Sequence, residues 1–363
     1  NRILLEERNR DLLKGFYSVF KAADEDLRFV LLTGVTKFSQ VSVFSGFNQP
    51  ADISMVEKYE ALCGITQEEL DGCFAGPMAE LAEDYRVDIE EMRRMLKRRY
   101  DGYHFSKRMT DVYNPFSLLN AFAWRDIANY WFRSGTPTYL VRLLGHTWEG
   151  LNELTGRYYR PEEFVDYKAD VERPLPMIYQ SGYLTIKGYD REENEFLLDF
   201  PNDEVEEGFL SVVAADYFKT SEDAVSCARR LSRALRSGDT EEFRKLLTSF
   251  LASIPYEMRR KEDEREKERY FQYTFYLLLR LVGIYQVHLE RRQSGGRVDC
   301  VVETERYVYI FEFKLDKSAD EALRQIEDKG YARPYESDRR KVYKIGVSFS
   351  SETGTVEDWK VVG

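Results

Sequence analysis

The segment Tyr309-Ile310-Phe311-Glu312-Phe313-Lys314-Leu315 places two full charges inside a run that otherwise has the composition of a buried β-strand. Charge on an interior strand is costly unless it is paired or bound to a metal. That cost constrains both the fold around the segment and what it can do. Glu312 and Lys314 are two residues apart and share one face of a strand, while Phe311 and Phe313 point to the other. A third charge, Asp299, interrupts the preceding apolar run Arg297-Val298-Asp299-Cys300-Val301-Val302. With a two-residue turn at Thr304-Glu305, residue 303 faces 306 and residue 299 faces 310. Asp299 then joins Glu312 and Lys314 on one face, one diagonal step from Glu312. A three-residue turn would send it to the opposite face.

The surrounding pattern gives this strand pair a setting. Glu268 to Val282 reads as a helix apolar nearly all round, hence buried, with Gly283 as its stop. Ile284 to Arg291 alternates like a strand, Gln293 to Gly296 is a turn, and Arg297–Glu303 and Tyr307–Leu315 are strands. Ser318 or Asp320 caps a helix running to Lys329 and ended at Gly330. Lys341 to Phe349 is the next strand. The order α-β-β-β-α-β implies an α/β domain, a mixed sheet flanked by helices.

Two carboxylates and a lysine on one face suit a hard divalent cation such as Mg²⁺ (or Mn²⁺). Such an ion lowers the pKa of a bound water and stabilises charge on a phosphodiester. The lysine can orient the water or help deprotonate it. A structural ion-pair cluster is the alternative for the same three residues.

At these residues the chain resembles the PD-(D/E)XK nuclease superfamily: Asp299, then Glu312-x-Lys314, on consecutive strands of the matching helix–strand order. Gly296-Arg297-Val298-Asp299, Ala322-Leu323-x-Gln325-Ile326 and Gly330-Tyr331-Ala332 are similar to the nuclease-like domain of a bacterial family that carries an AAA-ATPase-like domain in front of it. The resemblance implies a restriction-endonuclease-like fold and two accessory residues. Glu268, opening the buried helix, is the candidate third metal ligand, alongside Asp299 and Glu312. Gln325 is the candidate for supporting the site or the nucleic acid. The bland readings are one more solvated helix charge and an exposed helix residue.

Upstream, residues 2–22 have helical spacing, and Phe29-Val30-Leu31-Leu32-Thr33-Gly34 reads as a buried strand. A chain opening inside a helix, followed by one such strand, reads as the end of a larger domain. Leu32 to Ser39, Tyr113 to Ser117 and Tyr130 to Pro137 are similar to the later part of the family's ATPase-like domain. The phosphate-binding loop G-x-x-x-x-G-K-[ST] is absent from this chain. ATP binding is therefore expected only where that part is present, with Thr33 at a sensor position. Residues 53–150 read as short helices, with Pro115 in a first helical turn. Tyr183–Ile186 and Phe196–Phe200 form a hairpin, and residues 203–251 are helical. The expected divisions are an ATPase-like end (1–52), a helical, lid-like part (53–170), a hairpin and helical connector (171–255) and the nuclease-like domain (256–363).

Composition narrows the function classes. The chain of 363 residues carries a net charge of −11, which argues against a protein that coats duplex DNA through its overall charge. Tyr256 to Gly363 holds 21 basic and 21 acidic residues, so the whole excess lies in residues 1–255. DNA or RNA thus remains the expected partner of the C-terminal part. The densest basic segment, Arg93 to Arg108, is either an ion-paired solvated face or a nucleic-acid contact. The aromatic turn Tyr100-Asp101-Gly102-Tyr103-His104-Phe105 reads as packing more than base stacking, and His288 as an ordinary strand residue. No run approaches the roughly 20 apolar residues of a membrane span. The four cysteines lack metal-ligand spacing and read as reduced thiols of a cytoplasmic protein. AAA-like ancestry adds self-association as a homo-oligomer. Two functions compete: a metal-dependent nuclease, and a catalytically silent nuclease-like module that binds or regulates within an ATPase assembly.

Overall fold

The computed structural model describes residues 2–34, 51–133, 154–165, 174–219, 224–255, 264–281, 286–293 and 296–363. Val35 to Ser39, Ser134 to Pro137, Gly283 and the turn residues Ser294 and Gly295 lie outside the described residues. The chain divides into two compact units, Asn1–Glu206 and Glu207–Gly363.

The first unit begins with α1 (Arg2–Ala22). The strand expected at Phe29–Gly34 is not formed: the backbone there is irregular and Phe29 is 80% exposed. A strand needs a ladder partner to satisfy its N–H and C=O groups, and no described strand pairs with this segment. Beyond it come α2 (Gln67–Cys73), α3 (Ala75–Tyr85), α4 (Ile89–Tyr100), α5 (Pro115–Trp124) and α6 (Tyr130–Arg133). Their starts are set by local chemistry. Thr66 and Glu69 form a reciprocal capping box at α2, Asp88 caps α4, and Asn114 accepts from Phe116 and Ser117 N–H ahead of Pro115 in α5. Leu70, Met78, Leu81, Met92, Leu96, Tyr100, Tyr113 and Leu118 form the buried core of this helical part.

Next come β1 (Arg157–Tyr159), α7 (Pro161–Phe164) and α8 (Leu175–Gln180), then the hairpin β2 (Thr185–Asp190) and β3 (Glu195–Asp199). The hairpin matches the expectation, and β1 adds to it in the order β1-β3-β2, antiparallel throughout. The helix α9 (Asp203–Phe218) follows, and its Glu204 is fully buried. Glu204 Oε1 accepts the Trp131 N–H at 2.8 Å, while Oε2 has no hydrogen bond. Burial holds this carboxyl above its ordinary 4.5 despite the Trp131 bond and the Arg99 charge.

The second unit holds the rest of α9, then α10 (Ala224–Ser237), α11 (Thr240–Ser253), α12 (Glu264–Arg280), β4 (Gln286–Gln293), β5 (Gly296–Glu303), β6 (Tyr307–Leu315), α13 (Ala319–Asp328), β7 (Lys341–Phe349) and β8 (Val356–Val362). The expected α-β-β-β-α-β order is present, with β8 as a further edge strand. The sheet order is β4-β5-β6-β7-β8. All pairs are antiparallel except β6–β7. A parallel pair needs a crossover, and α13, capped by Ser318, supplies it.

The two faces of β6 have different roles. Phe311 and Phe313 point to the side covered by α11 and α12. Phe275 lies 4.8 Å from Phe311 and 5.0 Å from Phe313 between ring centroids, Phe271 stacks on Phe349 at 4.5 Å, and Phe243 lies 6.0 Å from Phe311. Each such pair adds about 0.5–1.5 kcal/mol beyond burial. Helix α11, expected within the connector 171–255, is therefore part of the sheet's own core. On the other side, Val301, Val308 and Ile310 pack against Leu323, Ile326, Tyr331 and Tyr335. Gly346, paired with Glu312 across β6–β7, lets α13 approach this face: a Cβ there would stand 2.3 Å from the Ala319 carbonyl oxygen.

Two outcomes follow from this packing. Gly346→Ala forces α13 off the sheet and should cost about 1–3 kcal/mol, read as a lower urea midpoint; an unchanged midpoint would contradict the close approach. Glu204 binds its proton more tightly folded than unfolded. Its stabilising contribution is therefore complete below about pH 4.5 and is lost as pH rises through the raised folded value. Glu204→Gln keeps the acceptor for Trp131 and carries no charge to bury, so it should melt at a higher temperature than the parent at pH 8. That gain should shrink toward pH 5; a gain independent of pH would refute the assignment.

Candidate active site

The β5–β6 ladder changes character where the charges sit. Cys300 to Glu303 pair regularly with Phe311 to Val308. Thr304 then closes the hairpin: its N–H donates to the Tyr307 carbonyl at 2.8 Å, and its Oγ1 accepts the Tyr307 N–H at 3.0 Å. The two turn residues are thus Glu305 and Arg306, one position later than expected. Moving a two-residue turn by one position preserves the face of every side chain, so Asp299 is on the face of Glu312 and Lys314. The register continued from Cys300–Phe311 sets it opposite Glu312, not one diagonal step away.

At that point side chains replace the backbone ladder. Asp299 Oδ2 accepts the Phe313 N–H at 2.8 Å, and the Asp299 backbone N–H reaches the Glu312 carboxylate. Lys314 Nζ donates to Glu312 Oε1 and to the Phe313 carbonyl, both at 3.2 Å. The structure thus brings Asp299, Glu312 and Lys314 together. Glu312 is only 1% exposed, and its Oε2 has no hydrogen-bond partner. Burial, then the neighbouring Asp299 charge, pushes the Glu312 carboxyl up to about 8, against the opposing pull of Lys314. The buried Cys300 thiol is raised for the same two reasons.

An orphaned buried oxygen beside a second carboxylate is a donor set that a divalent cation would satisfy. Asp299 and Glu312 are the residues that could hold it. Glu268 lies half-buried on α12, and no group of three or more His, Cys, Asp or Glu set to hold an ion is present among the described residues. The structure therefore does not gather Glu268 with the other two carboxylates.

Gln325 is half-buried on α13, and its side chain hydrogen-bonds the Tyr331 hydroxyl. That hydroxyl also donates to the Arg297 carbonyl at 2.8 Å. Tyr331 is 2% exposed, and burial, with the charges of Glu312 and Asp299, raises its pKa. Tyr331 therefore ties α13 to the start of β5, two residues before Asp299, and Gln325 acts through it. Sequence reasoning gave Tyr331 no role; the signal was its place in Gly330-Tyr331-Ala332, directly after the helix-ending glycine.

The remaining candidates resolve as structure. Arg93 pairs with Asp71 and Glu90, Arg94 with Glu91, Lys97 with Asp111, Arg98 with Asp203, Lys107 with Glu57, and Arg108 with Glu60. Arg99 donates to Asn129. The basic segment is thus an ion-paired face. Tyr100 and Tyr103 are buried, and Thr33 is exposed. Of His288 only the backbone, paired with Val301, is described.

Comparison with known proteins agrees with this fold. Residues 266–359 match the family model of the PD-(D/E)XK nuclease superfamily, and residues 2–44 match that of a predicted AAA-ATPase. The C-terminal sheet is accordingly a PD-(D/E)XK nuclease superfamily domain. The chain belongs to the AAA-ATPase-like proteins that carry one. It is also similar to an uncharacterized protein in the vnfD 5' region of Azotobacter chroococcum mcd 1, with 35% identity over 351 residues. That match covers 96% of this chain and 66% of the relative, so the chain spans about two thirds of that relative's length. No solved structure matches the chain. No described helix is long and apolar enough to cross a membrane.

Proposed function

We propose that the C-terminal unit hydrolyses phosphodiester bonds of DNA or RNA with the help of Mg²⁺ or Mn²⁺. The observation that carries this reading is the buried Glu312 carboxylate, with one oxygen unpartnered and Asp299 and Lys314 at its side. A structural ion pair has no use for an orphaned oxygen, whose desolvation is uncompensated. The bound cation would supply a water of lowered pKa and charge stabilisation on the phosphate.

The chain's own residues do the rest. Asp299 is fixed by the Phe313 N–H at one oxygen, which leaves the carboxylate facing the side shared with Glu312. Glu312 presents Oε2 from the sheet interior, where the low dielectric strengthens its hold on a cation. Lys314, now bonded to Glu312 Oε1, is in place to donate to a phosphate oxygen or to orient the attacking water. Gln325 and Tyr331 keep the start of β5 in register with α13. The local chain is electrically balanced, so substrate affinity should fall with salt and be weak for this unit by itself.

The test uses the full chain on supercoiled DNA, single-stranded DNA and RNA, with Mg²⁺, Mn²⁺ or EDTA. Wild-type protein should cleave at least one substrate only with metal. Glu312→Gln and Lys314→Ala should each lower the rate by at least about a hundredfold with the fold retained by circular dichroism. Cleavage at the parental rate in both variants would overturn the assignment. Absence of metal binding in calorimetry, with no cleavage of any substrate, would establish the silent binding module instead.

A further inference from the structure

Asp101 and Gly102 of the aromatic turn Tyr100–Phe105 have no part in the nuclease site, yet they line a cavity of about 340 Å³ in the first unit. Asp101 is the more deeply buried of the two. The side chain is 1% exposed, and neither carboxylate oxygen has a fully formed hydrogen bond: the Gly102 N–H approaches without closing one, and Lys97 Nζ stands off at 3.6 Å. A buried carboxylate so incompletely compensated is costly. The backbone that carries it is held firmly, by the Asn202 amide donating to the Asp101 carbonyl at 2.9 Å.

Beside it stands a second incomplete group. Lys187 Nζ donates to the Gly102 and Pro201 carbonyls, both at 2.8 Å, which uses two of its three N–H bonds. Gly102 makes this possible. Its φ is +95°, and a Cβ there would fall 2.4 Å from the Pro201 oxygen and 2.8 Å from Lys187 Nζ. Burial raises the Asp101 carboxyl and lowers the Lys187 ammonium. A ligand bonding to both groups would relieve both costs.

The charge balance selects the ligand's chemistry. The cavity wall has four acids against three bases, and two of those bases are engaged, Lys97 with Asp111 at 3.0 Å and Arg98 with Asp203 at 2.6 Å. A phosphate would meet uncompensated acids. A guanidinium would meet the Lys187 ammonium. A neutral group with two adjacent donors for a carboxylate, and an acceptor next to them for a lysine, fits both walls. Among nucleobases only guanine presents that edge: N1–H and N2–H side by side, with O6 adjoining. Adenine and cytosine put an acceptor beside the amine, and hypoxanthine lacks the amine. We infer that this cavity is a guanine-recognition site, in which Asp101 accepts from N1–H and N2–H and Lys187 donates to O6. Lys97, half-exposed on a flexible stem, lies across the carboxylate and moves fully onto Asp111 when the base enters. The cavity volume is in the range of small-ligand sites.

The base can belong to a free nucleoside or to a single-stranded nucleic acid, and both sources share this edge. The test is calorimetric titration of the full chain with guanosine, inosine and adenosine, and with the pentanucleotides TTGTT and TTATT. Guanosine should bind at least about tenfold more tightly than inosine, the cost of one charge-assisted hydrogen bond, and adenosine should not bind. Asp101→Asn should weaken guanosine by a similar factor without altering Mg²⁺ binding at the nuclease site. TTGTT binding far above guanosine, with TTATT silent, identifies nucleic acid as the source; equal affinity identifies the free nucleoside. Should Asp101→Asn fail to fold, the guanosine–inosine comparison on the parent protein decides alone. Guanosine binding no tighter than inosine, or no guanosine binding at millimolar concentration, overturns the inference.

Discussion

The burial of Glu312 in the middle of a five-stranded sheet is the constraint on which the nuclease-like unit turns. A carboxylate so placed loses its water, and Lys314 at 3.2 Å from one oxygen returns only part of what is lost. The other oxygen stays unpartnered. The strand nevertheless holds together because its opposite face is packed with Phe311 and Phe313 against α11 and α12. One face of β6 thus supplies the cohesion that lets the other carry buried charge. Packing and the proposed catalytic charges are divided between odd and even residues of the same strand.

The interruption of the β5–β6 ladder is the second part of that division. Regular pairing ends at Cys300–Phe311, and beyond it the Asp299 carboxylate occupies the Phe313 N–H. The exchange satisfies a backbone donor while setting a second acid beside Glu312. Helix α13 then closes over this face. It reaches the sheet because position 346 has no side chain, and it is tied to the start of β5 through Tyr331 and Gln325. The site is consequently held from two sides, by the hairpin turn at Thr304–Tyr307 and by the helix.

Much of this was legible in the sequence. Alternation fixed the faces of Glu312, Lys314, Phe311 and Phe313, and apolar runs with charged intruders located the strands. Asp299 was assigned its face through an expected two-residue turn. The turn forms one residue later because Thr304 pairs with Tyr307 through both backbone and side chain, and the parity survives the shift. Other features depend on contacts far apart in the chain and left no local pattern. The Phe243 packing that makes α11 part of the sheet's core is one, and Tyr331 bonding to Arg297 is another. The apolar run Phe29–Gly34 misled for the converse reason: its composition suits a strand, but a strand is defined by a partner. Arg93–Arg108 was readable either as an ion-paired face or as a nucleic-acid contact, and Asp71, Asp111 and Asp203 beside it decide for the first.

The central claim is that the unpartnered carboxylate face is a cation site. Crystals soaked in Mn²⁺ and measured at the manganese absorption edge test it most directly. The account predicts an anomalous peak bound by Glu312 Oε2 and an Asp299 oxygen, at the roughly 2 Å distances of hard-cation coordination. Crystals that take up no manganese there, with Glu312 Oε2 still unpartnered or bonded to a protein donor, would contradict it.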